Sequence, residues 1–256
     1  MRAGVPLQLQ VHTDLFSPLY AAASLGNALR AVFSRFLLRR ASCVRAVSPF
    51  VRQELEKLHT ATELSTLSVY IDEQAIHDAT PIDLRSNHPQ FETILIVVAR
   101  LEKEKRIQSI LRAMKTIAKE IPRAGLFIAG DGRERASLER YAKELGIQKS
   151  VVFLGYRSDA FGLYKTADLM LAATAPYEGY GAATVEALSA GCPVVSLDVG
   201  VAQEAGAVIA SPQNLAQTVI DTLRSGERGV LRLRLPSSKE WSDSWGEGLR
   251  QCAQKL

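Results

Sequence analysis

Between residues 93 and 198 the chain alternates between two hydrophobic patterns. Short continuous apolar runs, TILIVVA, GLFIAG, VVFLG, LMLAA and PVVSLD, have the length and β-branched content of strands buried on both faces. The stretches between them, IQSILRAMKTIAKEI, RERASLERYAKELG, FGLYKTA and AATVEALSAG, place apolar residues at helical spacing beside charged ones. Strands alternating with helices of this length predict βαβ units, an α/β fold with a parallel sheet covered by helices on both faces.

The first third is less regular. LQLQVH at 7–12 reads as a strand, with HTDLFSP as a loop at its carboxyl end, and helical stretches follow. VRAVSPFVRQELEKL predicts a short strand, an N-cap at Ser48, Pro49 at the first helical position and a helix through about Leu58. STLSVYI predicts another strand ending near Asp72. Residues 73–91 lose periodicity and collect Pro, Asn, Asp and His, the composition of an interdomain linker.

Composition narrows this little. With 47% hydrophobic and 23% charged residues the chain reads as an ordinary soluble globule. A net charge of +4 suits an anionic ligand or surface without choosing among phosphate, lipid and nucleic acid. Cys43, Cys192 and Cys252 are far apart, odd in number and without a CxxC pair, so neither a disulfide framework nor a zinc site is expected, and a reducing cytoplasm fits. No apolar run reaches the roughly 18 residues of a spanning helix, and MRAGVPLQLQVHTD lacks a signal-peptide core. LGNALRAVFSRFLLRR at 25–40 sets apolar residues at helical spacing beside four arginines, either an amphipathic helix packed on a core or one seated on acidic lipid headgroups.

In such sheets ligands bind at the carboxyl ends of the strands. In ARLEKEKR, Arg100 and Lys105 could converge on a diphosphate, or belong to a solvated mixed-charge loop. Gly130 and Gly132 of GDGRER permit a sharp turn and a close backbone approach, but the dinucleotide fingerprint is incomplete. In APYEGYGAA, Gly179 and Gly181 would let main-chain N–H groups face a ligand at the positive end of a helix. Glu178 before that helix and Glu186 inside it could reach different parts of one polyhydroxy ligand. They could equally serve the helix dipole and a solvated face. His12 ends a predicted strand and could point into a cleft or bond within its loop.

These loops together resemble the retaining glycosyltransferases of family 4, whose GT-B fold sets two Rossmann-like domains around a cleft. EGYGAATVE has that family's paired glutamates, ALSAGCPVVSLDVG its following stretch, VVARLEKEKRI its donor-phosphate loop, and GDGRERASLERYAKELGIQKSVVFLGY its next two units. The resemblance implies that Arg100 and Lys105 bind the donor diphosphate, Glu186 the ribose hydroxyls and Glu178 the sugar hydroxyls near the reaction centre. It implies that the backbone of Gly179, Tyr180, Gly181 and Ala182 supports sugar and phosphate, that the loop with Tyr156 and Arg157 lies by the base, that Gly130 belongs to the donor site, and that His12 reaches the sugar from the opposite domain. The implied activity is transfer of a hexose-type sugar, with retention, from a UDP- or GDP-sugar to a glycan or lipid-linked acceptor. No metal or other cofactor is required on this reading, nucleic acid is not a partner, and the place is cytoplasmic or peripheral on an acidic inner membrane face. A nucleotide-sugar-binding module without transfer activity is the alternative.

The implied organisation is a remnant of the amino-terminal domain at 1–72, the linker, a donor-binding domain at 92–230 and a tail helix at 231–256 that crosses back. Most of the family's amino-terminal domain has no counterpart, so a fragment of a longer product, or a chain that works with a partner, is expected; MRAGVPLQ reads like the middle of a helix-to-strand turn. Two smaller departures are the missing second glycine after Gly200 and Arg106, which stands where the family often has glycine and suggests that the loop bends elsewhere.

Overall fold

A computed structural model describes residues 6–58 and 63–254; the first five residues of MRAGVPLQ lie outside them. The amino-terminal part runs β1 (Gln8–Val11), α1 (Pro18–Ala23), α2 (Leu25–Leu38), β2 (Cys43–Ala46), α3 (Pro49–Glu56) and β3 (Glu63–Thr66). Its three strands are parallel in the order β1-β2-β3. As the sequence predicts, Ser48 caps α3, its hydroxyl accepting from the Val51 amide at 3.2 Å, with Pro49 at the first position. The third strand lies earlier than the STLSVYI reading. It pairs residue for residue with β2 and ends with the Leu67 amide donating to Ala46, after which the chain leaves the sheet.

Two short helices, α4 (Glu73–Asp78) and α5 (Leu84–Asn87), occupy the segment read as an interdomain linker, and both seat an apolar residue, Ile76 and Leu84, in the core. Asp72 and Asp83 cap them through side-chain bonds to the Ala75 and Ser86 amides. The aspartates that broke the periodicity are therefore helix starts.

The second sheet contains β4 (Thr93–Val98), β5 (Ala124–Ala129), β6 (Val151–Gly155), β7 (Leu169–Ala172), β8 (Val194–Leu197) and β9 (Val208–Ala210). All pairings are parallel, in the order β6-β5-β4-β7-β8-β9, a doubly wound Rossmann-like sheet. Helices α6 (Ile107–Glu120), α7 (Arg135–Glu144), α8 (Ala160–Tyr164), α9 (Ala182–Ser189), α10 (Ala202–Ala205) and α11 (Leu215–Ser225) connect the strands. Cores lie on both faces: Leu95, Val97 and Ile128 pack with α6 and α11, while Ile94, Ile96 and Phe127 pack with α8 and α9. The order reverses between β4 and β7, which opens a crevice at their carboxyl ends.

The last helix, α12 (Ser238–Ala253), starts in a capping box of Ser237 and Glu240 and lies on the face of the first sheet that carries Gln8, Cys43 and Arg45. The Trp241 indole donates to the Ser68 carbonyl at 2.8 Å, and the buried Arg45 guanidinium sits 3.8 Å from the Trp245 ring centroid. Cys43 and Cys252 form a disulfide across 209 residues of sequence. This overturns the expectation of no disulfide: spacing along the chain reports local frameworks, whereas this pair is brought together by the return of the tail. The cysteine count accordingly gives no support to a reducing compartment.

Helix α2 also departs from a simple core-packed reading. Only Ala31 and Leu38 of it are buried, while Leu25, Leu29, Val32, Phe33 and Phe36 are exposed. Among the described residues no helix is long and apolar enough to cross a membrane.

Candidate active site

The loops at the carboxyl ends of the second sheet are joined to one another by main-chain hydrogen bonds. The Gly130 amide donates to Gly155, Leu101 to Asp131, and Ala175 to the Glu104 carbonyl at 2.7 Å. The loop after β7 then reaches the first sheet: Asp14 donates to the Tyr177 carbonyl at 3.1 Å, and Thr13 and Glu178 form an antiparallel bridge. Glycine is needed at these crossings. A Cβ on Gly130 would lie 1.8 Å from the Ala99 carbonyl oxygen, and one on Gly179 would lie 2.2 Å from the His12 oxygen.

Two lobes of one cleft meet at this junction. The first, of about 280 Å³, sits in the β4/β7 crevice against the first turn of α9; the second, of about 550 Å³, extends between the β4 loop and the start of α2. Both are lined by Arg100, Lys105, Thr174 and Glu178. The Lys105 ammonium is 2.6 Å from the Glu178 carboxylate, in a pair that is mostly covered, whereas Arg100 is largely exposed and 3.2 Å from Glu104. Arg30 and Arg133 add positive charge to the second lobe. Gly181, at φ +87°, forms the amino-terminal cap of α9, and no side chain satisfies the first-turn N–H groups that border the first lobe. Cations from the β4 loop and an uncapped helix start thus face one cavity, which is a setting for a phosphorylated ligand.

Not every expected residue lines this cleft. Glu186 is on α9 beyond the lining and accepts from the Tyr164 hydroxyl at 3.4 Å. Burial raises its pKa, and the Tyr164 bond counters part of the rise. Burial first, then the Glu186 charge, lifts Tyr164 well above its ordinary value. Tyr180 is buried and its carbonyl accepts from the Val201 amide, under which Gly200 turns at φ +59°; its contribution is to brace the loop. Ala182 lines the first lobe. Tyr156 is 80% exposed, and Arg157 is held by Asp159 in a two-point ion pair. The His12 imidazole is exposed, yet covered enough that desolvation, with the Arg45 charge second, lowers its pKa. Its neighbour Thr13 is the residue that lines the cleft.

Two features escaped the sequence reading. Tyr20 and Tyr177 meet edge-to-face at 5.3 Å in the wall of the second lobe, across the two sheets, and no local pattern announces such a pair. Arg106 takes the left-handed conformation itself, at φ +48°, so the loop bends at this residue and not elsewhere. Among the described residues no group of three or more His, Cys, Asp or Glu side chains is arranged to hold a metal ion.

Comparison with known proteins extends this picture. The family model described as glycosyl transferases group 1 matches residues 80–227. N-acetyl-alpha-D-glucosaminyl L-malate synthase of Bacillus anthracis is 30% identical over 169 residues, 65% of this chain and 44% of that protein. A GDP-mannose-dependent alpha-(1-6)-phosphatidylinositol dimannoside mannosyltransferase of Mycobacterium tuberculosis is 32% identical over 151 residues, 57% of this chain and 38% of that one. The chain therefore spans less than half the length of these relatives. The crystal structure of Anabaena Alr3699/HepE in complex with UDP-glucose is similar in fold, with a TM-score of 0.74 at 22% identity, covering 96% of this chain and 72% of that one.

Proposed function

Because the chain belongs to the group 1 glycosyl transferases and has their GT-B-type fold, we propose that it binds a nucleotide diphosphate sugar in the β4/β7 crevice and serves transfer of the sugar, with retention, to a glycan or lipid-linked acceptor. The observation that carries this reading is the convergence of Arg100, Lys105, Glu178 and the uncapped start of α9 on one cavity. Relatives whose names specify GDP-mannose and a neighbour solved with UDP-glucose leave the base open between the two.

In this mechanism the diphosphate bridges Lys105, Arg100 and the first-turn amides of α9. As the bond from the sugar to the diphosphate oxygen loosens, negative charge grows on the leaving group, where fixed cations and oriented N–H groups stabilise it most. Lys105 is already positioned through Glu178, so its ammonium needs little reorganisation when the anion arrives. Glu178, held by Thr13, offers its second oxygen to sugar hydroxyls. Glu186 accepts from the ribose hydroxyls after a rotamer change away from Tyr164. Protein carboxylates act here as hydroxyl acceptors; no acid/base pair of glycosidase type is assigned.

Calorimetric titration with UDP, GDP, UDP-glucose and GDP-mannose tests the reading, with Lys105→Met as control. Binding of one nucleotide, lost in the variant, supports it and identifies the base. Absence of binding by every nucleotide sinks the donor site in this chain. Binding without turnover on any supplied acceptor favours a nucleotide-sugar-binding module.

A further inference from the structure

We propose that α2 is a membrane-docking surface that seats this protein on a bilayer rich in acidic lipids. At the helical repeat, Leu25, Leu29, Val32, Phe33 and Phe36 fall within about 100° of arc. These residues are exposed by 79, 63, 67, 60 and 47% respectively. The buried side of the helix rests on the small Ala31 and on Leu38, so the outward face is the more apolar one.

Charge selects the occupant. Arg30 and Arg35 flank the stripe on its two sides, and Arg39 and Arg40 close its carboxyl end, where the Arg40 guanidinium lies 4.0 Å over the Phe36 ring. No Asp or Glu occurs between Leu15 and Gln53. A helix with aromatic and aliphatic residues on one face and arginines along both borders matches the boundary between acyl chains and anionic headgroups. It sinks its apolar stripe and leaves the guanidinium groups at phosphate level. A protein partner would need a shaped apolar groove with an acidic rim; a bilayer needs only depth and charge.

The same helix borders the cleft. Gly26, Asn27 and Arg30 line the second lobe, next to Arg100 and Glu178. Docking through α2 therefore sets the mouth of the cleft beside the membrane surface, where a lipid-held acceptor would be presented. The bilayer contact rests on α2 alone; the acceptor consequence rests on the proposed transferase activity.

Co-sedimentation with vesicles tests the contact on the whole chain. Equimolar phosphatidylcholine and phosphatidylglycerol vesicles should carry the protein down, pure phosphatidylcholine should not, and raised salt should weaken the association. The double variant Phe33→Ser, Phe36→Ser should lose most of the binding, and Arg35→Gln should weaken it about fivefold. Both changes lie on exposed side chains, and unchanged nucleotide titration in Arg35→Gln confirms an intact fold and separates this result from the donor reading. Three outcomes overturn the proposal: no association with acidic vesicles, equal association with neutral ones that Arg35→Gln leaves unchanged, or a lipid-free dimer abolished by the phenylalanine substitutions, which would assign the face to a second copy of the chain.

Discussion

Substituting Gly179 by alanine is the sharpest test of how the two sheets form one site. The added Cβ would lie 2.2 Å from the His12 carbonyl oxygen, 2.8 Å from its carbon and 3.0 Å from the Val51 Cγ2. The nearest neighbours are main chain, so no side chain can swing aside; the loop must retreat by roughly 1 Å to reach a tolerable contact. Overpacking of this kind costs about 1–3 kcal/mol. Retreat also stretches the Asp14-to-Tyr177 main-chain bond, worth about 1 kcal/mol. Reduced freedom of the unfolded chain returns about 0.4–1 kcal/mol.

The net expectation is a loss of about 2 kcal/mol, or about 4–8 °C in melting temperature for a chain of this size. Donor affinity should fall with it, since Glu178 and its bridge to Thr13 move with the loop. Gly181→Ala is the contrasting case. Its Cβ meets nothing closer than the Thr184 Oγ1 at 3.9 Å, but φ is +87°, so the cost is backbone strain of about 1–2 kcal/mol without a clash. Asparagine should be tolerated at 181, because it accepts the left-handed region, and should be worse than alanine at 179. Thermal unfolding and nucleotide titration on the four variants decide the matter. A Gly179→Ala protein that melts no lower than the parent, or Gly179→Asn that outperforms Gly179→Ala, would refute the steric account.

Arg100→Ala should weaken UDP or GDP far more than uridine or guanosine in calorimetry, because its partner on this reading is the diphosphate; equal losses would place Arg100 elsewhere. Reduction, or Cys252→Ser, should lower stability by about 2–5 kcal/mol because the bond closes a loop of 209 residues; alkylation with mass analysis should find one free thiol before reduction and three after it. For Glu186, burial raises the folded pKa above its unfolded value, which favours the folded state at low pH and is lost as pH rises through the folded pKa. Glu186→Gln should therefore melt higher than the parent at neutral pH, with the difference fading toward acid, while binding nucleotide more weakly; melts from roughly pH 4 to pH 8 would show a pH-independent difference if the reasoning failed.

The second sheet was legible because its inner strands β4, β5, β7 and β8 are buried along most of their length and each crossover helix shows its own period; from β4 through β8 sequence and structure agree within a residue or two except at α8, which stops three residues before the end of FGLYKTA. The short edge strand β9, three residues in AGAVIAS, offered too little pattern to register. In the first sheet four-residue strands cannot be bounded by periodicity, and β3 was displaced toward the more hydrophobic VYI. Capping aspartates at 72 and 83 looked like loop composition because their helices span only a turn or so. The charged lining of the cleft was legible as Arg100 and Lys105 in the loop after β4 and Glu178 beside Gly179 in the loop after β7. What sequence could not supply were relations across the fold: Cys43 with Cys252, Tyr20 with Tyr177, and Arg45 with the tryptophans of α12.

Those cross-fold relations change what the first sheet is for. If the donor cavity were the property of the second sheet alone, Glu178 would need nothing beyond β7 and α9. Instead its backbone bridges to Thr13, its carboxylate fixes Lys105, and Lys105 belongs to the loop whose Glu104 carbonyl accepts from Ala175. Each link constrains the next, so the position of the cation that would meet the diphosphate depends on where β1 ends. The first sheet is in turn tied to the tail by the Cys43–Cys252 bond and the Trp241-to-Ser68 hydrogen bond. Loosening α12 should therefore reach the proposed donor site through β1 and Thr13 although no residue of α12 lines the cleft, and the three strands of the first sheet act as the wall on which the Glu178 loop is set.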